Sequence, residues 1–141
     1  MAGPSLQRIY CWDLISEGLH VYTASTEKGA LRICLGLGRG PGPVALFRRL
    51  FPECKILKDY RLNAPLIETA IALLEDREPS VRLPMDITGT PFQVKVWNAI
   101  ARIPFGETRT YGEVARQLGN ANAARAVGQA VGRNPLPLIF P

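Results

Sequence analysis

The most constraining stretch of this chain is a run of small residues that follows a glycine-asparagine break. Ala121, Ala123, Ala124, Ala126, Gly128, Ala130 and Gly132 come directly after Gly119-Asn120. Alanine is the strongest helix former, and Gly-Asn suits the left-handed exit of a preceding helix. Upstream, Thr110 opens a capping pattern that Glu113 completes three residues on. The spacing predicts one helix over 111–118 and a second over 121–131, ended by Gly132 and Asn134-Pro135. Two short helices joined by a tight glycine turn make a helix-turn-helix. Small residues let a helix backbone come close to whatever it meets, which suits a narrow groove that would exclude bulky side chains. Arg125 is the long cationic side chain in the middle of that surface. It reads either as a probe into nucleic acid or as a solvent-facing arginine on a packing helix.

The 141 residues suffice for one ordinary domain or two small ones, and with 47% of them apolar a real core can form. The formal charge of +5 and the pI of about 9.4 fit an anionic partner such as nucleic acid, though ordinary proteins reach such values too. No run approaches the ~20 apolar residues of a membrane span, and residues 1–8 lack the layout of a signal peptide. Cys11, Cys34 and Cys54 form no close pair, which fits a reducing, intracellular compartment. With His20 as the sole histidine and no Cys-x-x-Cys, no zinc site is expected. Each cysteine reads as a small hydrophobe.

The first third reads as β-structure, with apolar runs at Ile9 to Leu14, His20 to Ala24 and Ala30 to Leu35, and with turns at Glu17-Gly18 and Glu27-Lys-Gly29. The Gly-Leu-Gly-Arg-Gly of residues 36–40 lacks the Lys-Ser/Thr of a phosphate loop and reads as a connector. A short helix is expected over 44–51. A longer one, capped by Asn63, is expected over 63–75, where Leu66, Ile67, Ala70, Ile71 and Leu74 recur at helical spacing. Residues 82–87 read as an extended linker, because Pro84 disfavours helix at Leu83. The domain boundary falls near 85–89, giving a sheet-and-helix domain over 1–85 and a mostly helical domain over 86–141. In the latter, Thr90 caps a helix starting at Pro91, with Phe92, Val96, Ala99 and Ile100 on its apolar face. The fold class is therefore an α/β N-terminal domain, a small antiparallel sheet plus helix, followed by a mostly α helix-turn-helix domain.

Several short motifs agree in order and spacing with one family. They are Phe92-Gln-x-x-Val96-Trp97, Ile103-Pro-Phe-Gly106-Glu-Thr, Thr110-Tyr111, Ala123-Ala-Arg-Ala-Val-Gly128 and Asn134-Pro-x-Pro137-x-Ile139-x-Pro141. This pattern resembles the O6-alkylguanine-DNA alkyltransferases, closely over 83–141 and in outline before that. The resemblance implies direct-reversal DNA repair: an alkyl group moves once, irreversibly and without a cofactor, from guanine O6 to a protein cysteine.

It further implies a monomer acting inside the cell, cytoplasmic or nuclear, on double-stranded DNA. The second helix would enter the minor groove and the alkylated guanine would flip into a pocket. Arg125 would fill the gap in the base stack and Tyr111 would crowd the neighbouring phosphate. Thr110 and Asn120 would lie along the backbone, and Ala124 and Gly128 would let the helix close on the DNA. Asn134 would act as a hinge, and Val131 and Pro137 would line the alkyl pocket. The family motif continues Pro-Cys-His-Arg, so the nucleophile is expected directly after Pro141. By that reading the 141 residues alone are inactive, since Cys11, Cys34 and Cys54 lie outside the motif. The runner-up is an alkyltransferase-like protein that binds lesions without transfer. A sequence-specific regulator fits poorly, because base readout needs several Arg, Asn or Gln side chains.

Overall fold

The computed structural model describes residues 7–80 and 82–138. Strands β1 (Arg8–Ser16), β2 (Leu19–Thr26) and β3 (Gly29–Leu37) form an antiparallel meander, and β4 (Lys55–Lys58) adds to β1 in parallel, in the order β3-β2-β1-β4. The sheet is thus mixed rather than purely antiparallel. A two-residue turn at Glu17-Gly18 closes the first hairpin; both residues have positive φ, 52° and 81°, as a tight right-twisted hairpin requires. Helix α1 (Pro43–Leu50) links β3 to β4. A single 3-10 turn, Arg61–Asn63, then leads into α2 (Ala64–Leu74), and α3 (Pro91–Ala101), α4 (Tyr111–Gln117) and α5 (Ala124–Gly132) follow.

Alternation along the strands splits the buried residues between two faces. Ile9, Cys11, Tyr22, Ala24 and Leu31 meet Phe47 of α1 and Ile56 of β4 on one side. Val21, Ala30 and Ile33 meet Leu66 and Ala70 of α2, Val96, Trp97 and Ile100 of α3, Val114 of α4, Val127 of α5, and Leu136 on the other. The sheet and the helices 91–132 therefore share one core.

Asn63 holds the cap position expected from the sequence, immediately before α2, but it does not cap with its side chain. It adopts a helical backbone, φ −98° and ψ −10°, and its side chain makes no capping bond. Its buried amide instead donates to the Tyr10 and Asp59 carbonyls at 3.1 and 2.8 Å and accepts from the Ser25 hydroxyl at 3.1 Å. The expected linker over 82–87 is extended but docked. Ala30 N–H donates to Pro84 O at 2.8 Å, Asp86 N–H donates to Ala30 O at 2.7 Å, and the Thr26 hydroxyl donates to the Asp86 carboxylate at 2.6 Å. Gly29 permits this approach, because a Cβ there would lie 2.4 Å from Pro84 O. Farther along β3, Ile33 N–H donates to Pro135 O at 2.8 Å. Both segments cover the outer edge of β3, which would otherwise present unpaired backbone groups.

Candidate nucleic-acid interface

Capping chemistry sets the helix-turn-helix. The Thr110 hydroxyl accepts from Glu113 N–H at 3.1 Å, and the Glu113 carboxylate accepts from Thr110 N–H at 3.2 Å. Thr90 and Gln93 build the same reciprocal pair at the start of α3. Gly119, at φ +85°, gives the left-handed exit from α4. The second helix begins at Ala124 rather than near Ala121. Asn120 is the cause: its side-chain oxygen accepts from Asn122 N–H at 3.2 Å, and its carbonyl accepts from Ala123 N–H at 3.1 Å. Those bonds hold residues 120–123 in a turn, so the alanines there extend the connection instead of the helix.

Two contacts aim α5. Trp97, buried in α3, donates its indole N–H to the Ala130 carbonyl at 2.9 Å. The Tyr111 ring lies over Gly128, where an added Cβ would meet it at 3.0 Å. Gly128 thus brings the N-terminus of α4 onto the middle of α5, while Tyr111 stays 51% exposed. Thr110, Asn120 and Arg125 are exposed and Ala124 is half-buried. Arg125 forms no side-chain hydrogen bond or ion pair among the described residues.

Val131 packs half-buried against the shared core. Asn134 turns the chain out of α5: its N–H donates to Val131 O at 3.1 Å and its side-chain oxygen accepts from Leu136 N–H at 2.8 Å. Pro137 is half-buried and Leu136 fully buried; residues 139–141 lie outside the described residues. A groove of about 530 Å³ runs between α2, the end of α3 and the loop Ile103 to Glu107. Leu83, Met85 and Leu138 line it; Val131, Asn134 and Pro137 do not.

Each carboxylate of residues 86–141 is engaged. Asp86 accepts from Thr26, Glu107 pairs with Arg109 at 3.1 Å, and Glu113 belongs to its capping box. Lys95, Arg102, Arg116, Arg125 and Arg133 remain without an ion pair among the described residues. The sequence reading singled out Arg125 but passed over Gln129 and Arg133, which follow it at four-residue steps on the same helix face. The spacing alone could have found them.

The three cysteines lie elsewhere. Cys11 is in the cluster under α1, and Cys34 and Cys54 pack against that cluster. Burial pushes the Cys11 thiol from 9.0 to about 11, and burial also raises Cys34. Among the described residues no helix is long and apolar enough to cross a membrane, and no group of His, Cys, Asp and Glu could hold a metal ion.

Known proteins carry the same pattern. The family description 6-O-methylguanine DNA methyltransferase, DNA binding domain, matches residues 91–141. The inducible methylated-DNA–protein-cysteine methyltransferase of Bacillus subtilis is 33% identical over 135 residues, covering 92% of this chain and 73% of that protein. A methylated-DNA–protein-cysteine methyltransferase of Methanosarcina acetivorans is 60% identical over 53 residues, covering 38% of this chain and 34% of that protein. The crystal structure of Mycobacterium tuberculosis O6-methylguanine methyltransferase superposes with a TM-score of 0.73 at 28% identity, covering 94% of this chain and 75% of that one. Mycobacterium tuberculosis OGT in complex with DNA superposes at 0.69 and 28% identity, covering 95% and 74%. The match to the Bacillus protein over 92% of this chain, together with a shared fold and the helix-turn-helix motifs, shows that the chain belongs to the methylated-DNA–protein-cysteine methyltransferase family.

Proposed function

We propose that this chain grips duplex DNA with α5 in the minor groove, in the service of direct reversal of O6-alkylguanine. The observation that carries the proposal is Arg125, exposed and without a partner among the described residues, on a small-residue helix beside the Tyr111–Gly128 contact. Extruding a base costs roughly a few kcal/mol in stacking and pairing. A guanidinium entering the vacated space recovers part of that by stacking and by charge. Tyr111 stands where its ring can crowd the phosphate beside the flipped nucleotide. Thr110 accepts a bond within its capping box, leaving its hydroxyl proton for a backbone oxygen. Asn120 keeps its amide hydrogens for the same use, and Ala124 and Gly128 leave room for the groove wall. Asn134 is the hinge after α5, with Val131 and Pro137 toward the alkyl pocket. In this reading residues 86–141 are the DNA-binding domain and 1–85 support it, in a monomer that works where the cell keeps its DNA.

The transfer itself breaks the bond between guanine O6 and the alkyl carbon and forms a carbon–sulfur bond. The attacking species is a thiolate, and guanine leaves as its anion, which takes a proton at N1 from water to become the keto base. No cofactor enters, and the thioether ends the protein's activity after one turnover. Cys11, Cys34 and Cys54 do not supply this sulfur. All three sit with the α1-side cluster, across the sheet from α5, and burial disfavours the thiolate at Cys11 and Cys34. A cysteine in the Pro-Cys-His-Arg position of the family is the nucleophile this reading requires. The 141 residues by themselves therefore bind lesions without repairing them, which is also the behaviour of the alkyltransferase-like alternative.

The test pairs binding with chemistry. Duplex DNA should bind with weak sequence preference and an affinity that falls steeply with salt, because neutralising phosphates releases counterions. Incubation with DNA carrying a labelled O6-methyl group should leave the protein mass unchanged. Label on Cys11, Cys34 or Cys54 at a useful rate would overturn the assignment, as would salt-independent binding.

A further inference from the structure

A second polar feature lies beside the Arg125 surface. A groove of about 540 Å³ opens between the start of α3 and the outer side of α5. Thr90 and Gln93 form one wall, and Ala126, Gln129 and Arg133 the other. Arg125, Gln129 and Arg133 are four residues apart, so they form one ridge on the exposed face, rising about 6 Å per step. Arg133 is exposed at the C-cap of α5, and its side chain makes no ion pair among the described residues. Among the described residues no carboxylate lines the groove. Glu113 and Glu107 are committed to Thr110 and Arg109. Ala126, in the α5 wall, is too small to close the groove to a bulky group.

We propose that this groove is a subsite for the DNA sugar-phosphate backbone, in which Arg133 pairs with a phosphate and Gln129 donates its amide to the same strand. It rests on the DNA reading above and extends that footprint along the ridge from Arg125 into the groove beside the start of α3. A phosphodiester matches the chemistry: a single negative charge, acceptor oxygens only, and a guanidinium fork opposite with amide donors alongside. Such contacts set register on the duplex and carry no sequence information.

The experiment is a salt titration of duplex binding by the 141-residue chain and its variants. Arg133→Ala and Arg133→Gln should each lower the magnitude of the slope of log affinity against log salt by about 0.9, the value for one lost phosphate contact on B-DNA. Arg133→Lys should keep the slope, since a point charge still neutralises a phosphate. Gln129→Glu should weaken binding with Arg133 intact, by placing a carboxylate in the groove. Arg39→Ala removes the same net charge from the segment that lies on the α1 side of the sheet, and should leave the slope unchanged. Thermal melts establish that each variant is folded. An unchanged slope in Arg133→Ala, with the parent still binding, overturns this subsite and leaves the α5 reading standing. An equal loss in Arg39→Ala also overturns it, by reducing the effect to net charge. A parent chain without salt-dependent binding removes the DNA reading, and the subsite with it.

Discussion

At the scale of single residues, Gly128 and Arg125 separate function from stability. Gly128 is helical, so exchanging it for alanine favours the helix by up to ~1 kcal/mol. The new methyl group would press on the Tyr111 ring at 3.0 Å and force it aside. Gly128→Ala is expected to melt at or above the parent temperature while binding duplex DNA more weakly. A calorimetric scan beside a binding titration checks both, and undiminished binding would detach Tyr111 from the DNA. Arg125→Ala is expected to lose ~1–3 kcal/mol of affinity for a duplex containing O6-methylguanine, the range for one stacking contact. Its fold should be untouched, since the side chain has no partner among the described residues. Identical affinities for parent and variant would place Arg125 off the DNA.

Among the elements, α4 and α5 depend on a few bonds at their ends. Seven-residue α4 is too short to persist on propensity alone, so the Thr110–Glu113 box matters more than it would in a long helix. Thr110→Ala should cost ~1 kcal/mol, and Thr110→Ser should restore most of it, because serine also offers an oxygen to the N3 amide. Urea denaturation of the pair decides the point; equal loss in both would mean that the threonine methyl, not the hydroxyl, is what counts. Helix α5 is held differently, through the Trp97 indole to the Ala130 carbonyl. Trp97→Phe leaves that carbonyl only the Arg133 N–H at 3.2 Å and should cost ~0.5–1.5 kcal/mol for the bond, plus the lost ring volume.

The whole molecule couples its two layers through one sheet, and its alkaline limit follows from that sheet's covered side. Cys11, with its side chain fully enclosed between β1 and α1, stays protonated to about 11 against the ordinary 9.0. Tyr22 in the same cluster is raised as well, chiefly by burial. Above pH 9 the unfolded chain releases the thiol proton and the folded chain keeps it. Linkage then makes stability fall with pH: the contribution is complete below about 9 and is lost as pH rises through about 11. Denaturation midpoints at pH 8, 9.5 and 10.5 should decline in that order. Cys11→Val, which removes the titrating group, should flatten the decline; an equally steep fall would assign it to other groups.

Local chemistry made much of this protein readable in advance. A capping residue and its reciprocal partner lie three residues apart, and a left-handed glycine acts on the turn just before it, so Thr90, Thr110, Glu113 and Gly119 announced α3 and α4 without any knowledge of the rest. The small-residue composition of α5 and the position of Arg125 were equally plain, and the motifs around them carried the family. Features built from distant residues were not legible. Lys55–Lys58 has no strand-like alternation and becomes β4 only because β1 offers an edge. Asn63 holds the cap position without a capping bond because Tyr10, Asp59 and Ser25 converge on its amide. Residues 120–123 chose a turn over a helix through a side-chain bond whose competition with the helix no propensity resolves. The sequence by itself determined where the helices lie to within a few residues and which of them carries the small residues, because those choices depend on nearest neighbours along the chain. Only the tertiary structure decided that Tyr111 rests on Gly128, that Arg133 faces Gln93 across a groove, and that the three cysteines lie on the α1 side of the sheet. Those relations join residues far apart in sequence, and packing a shared core is what sets the distances between them.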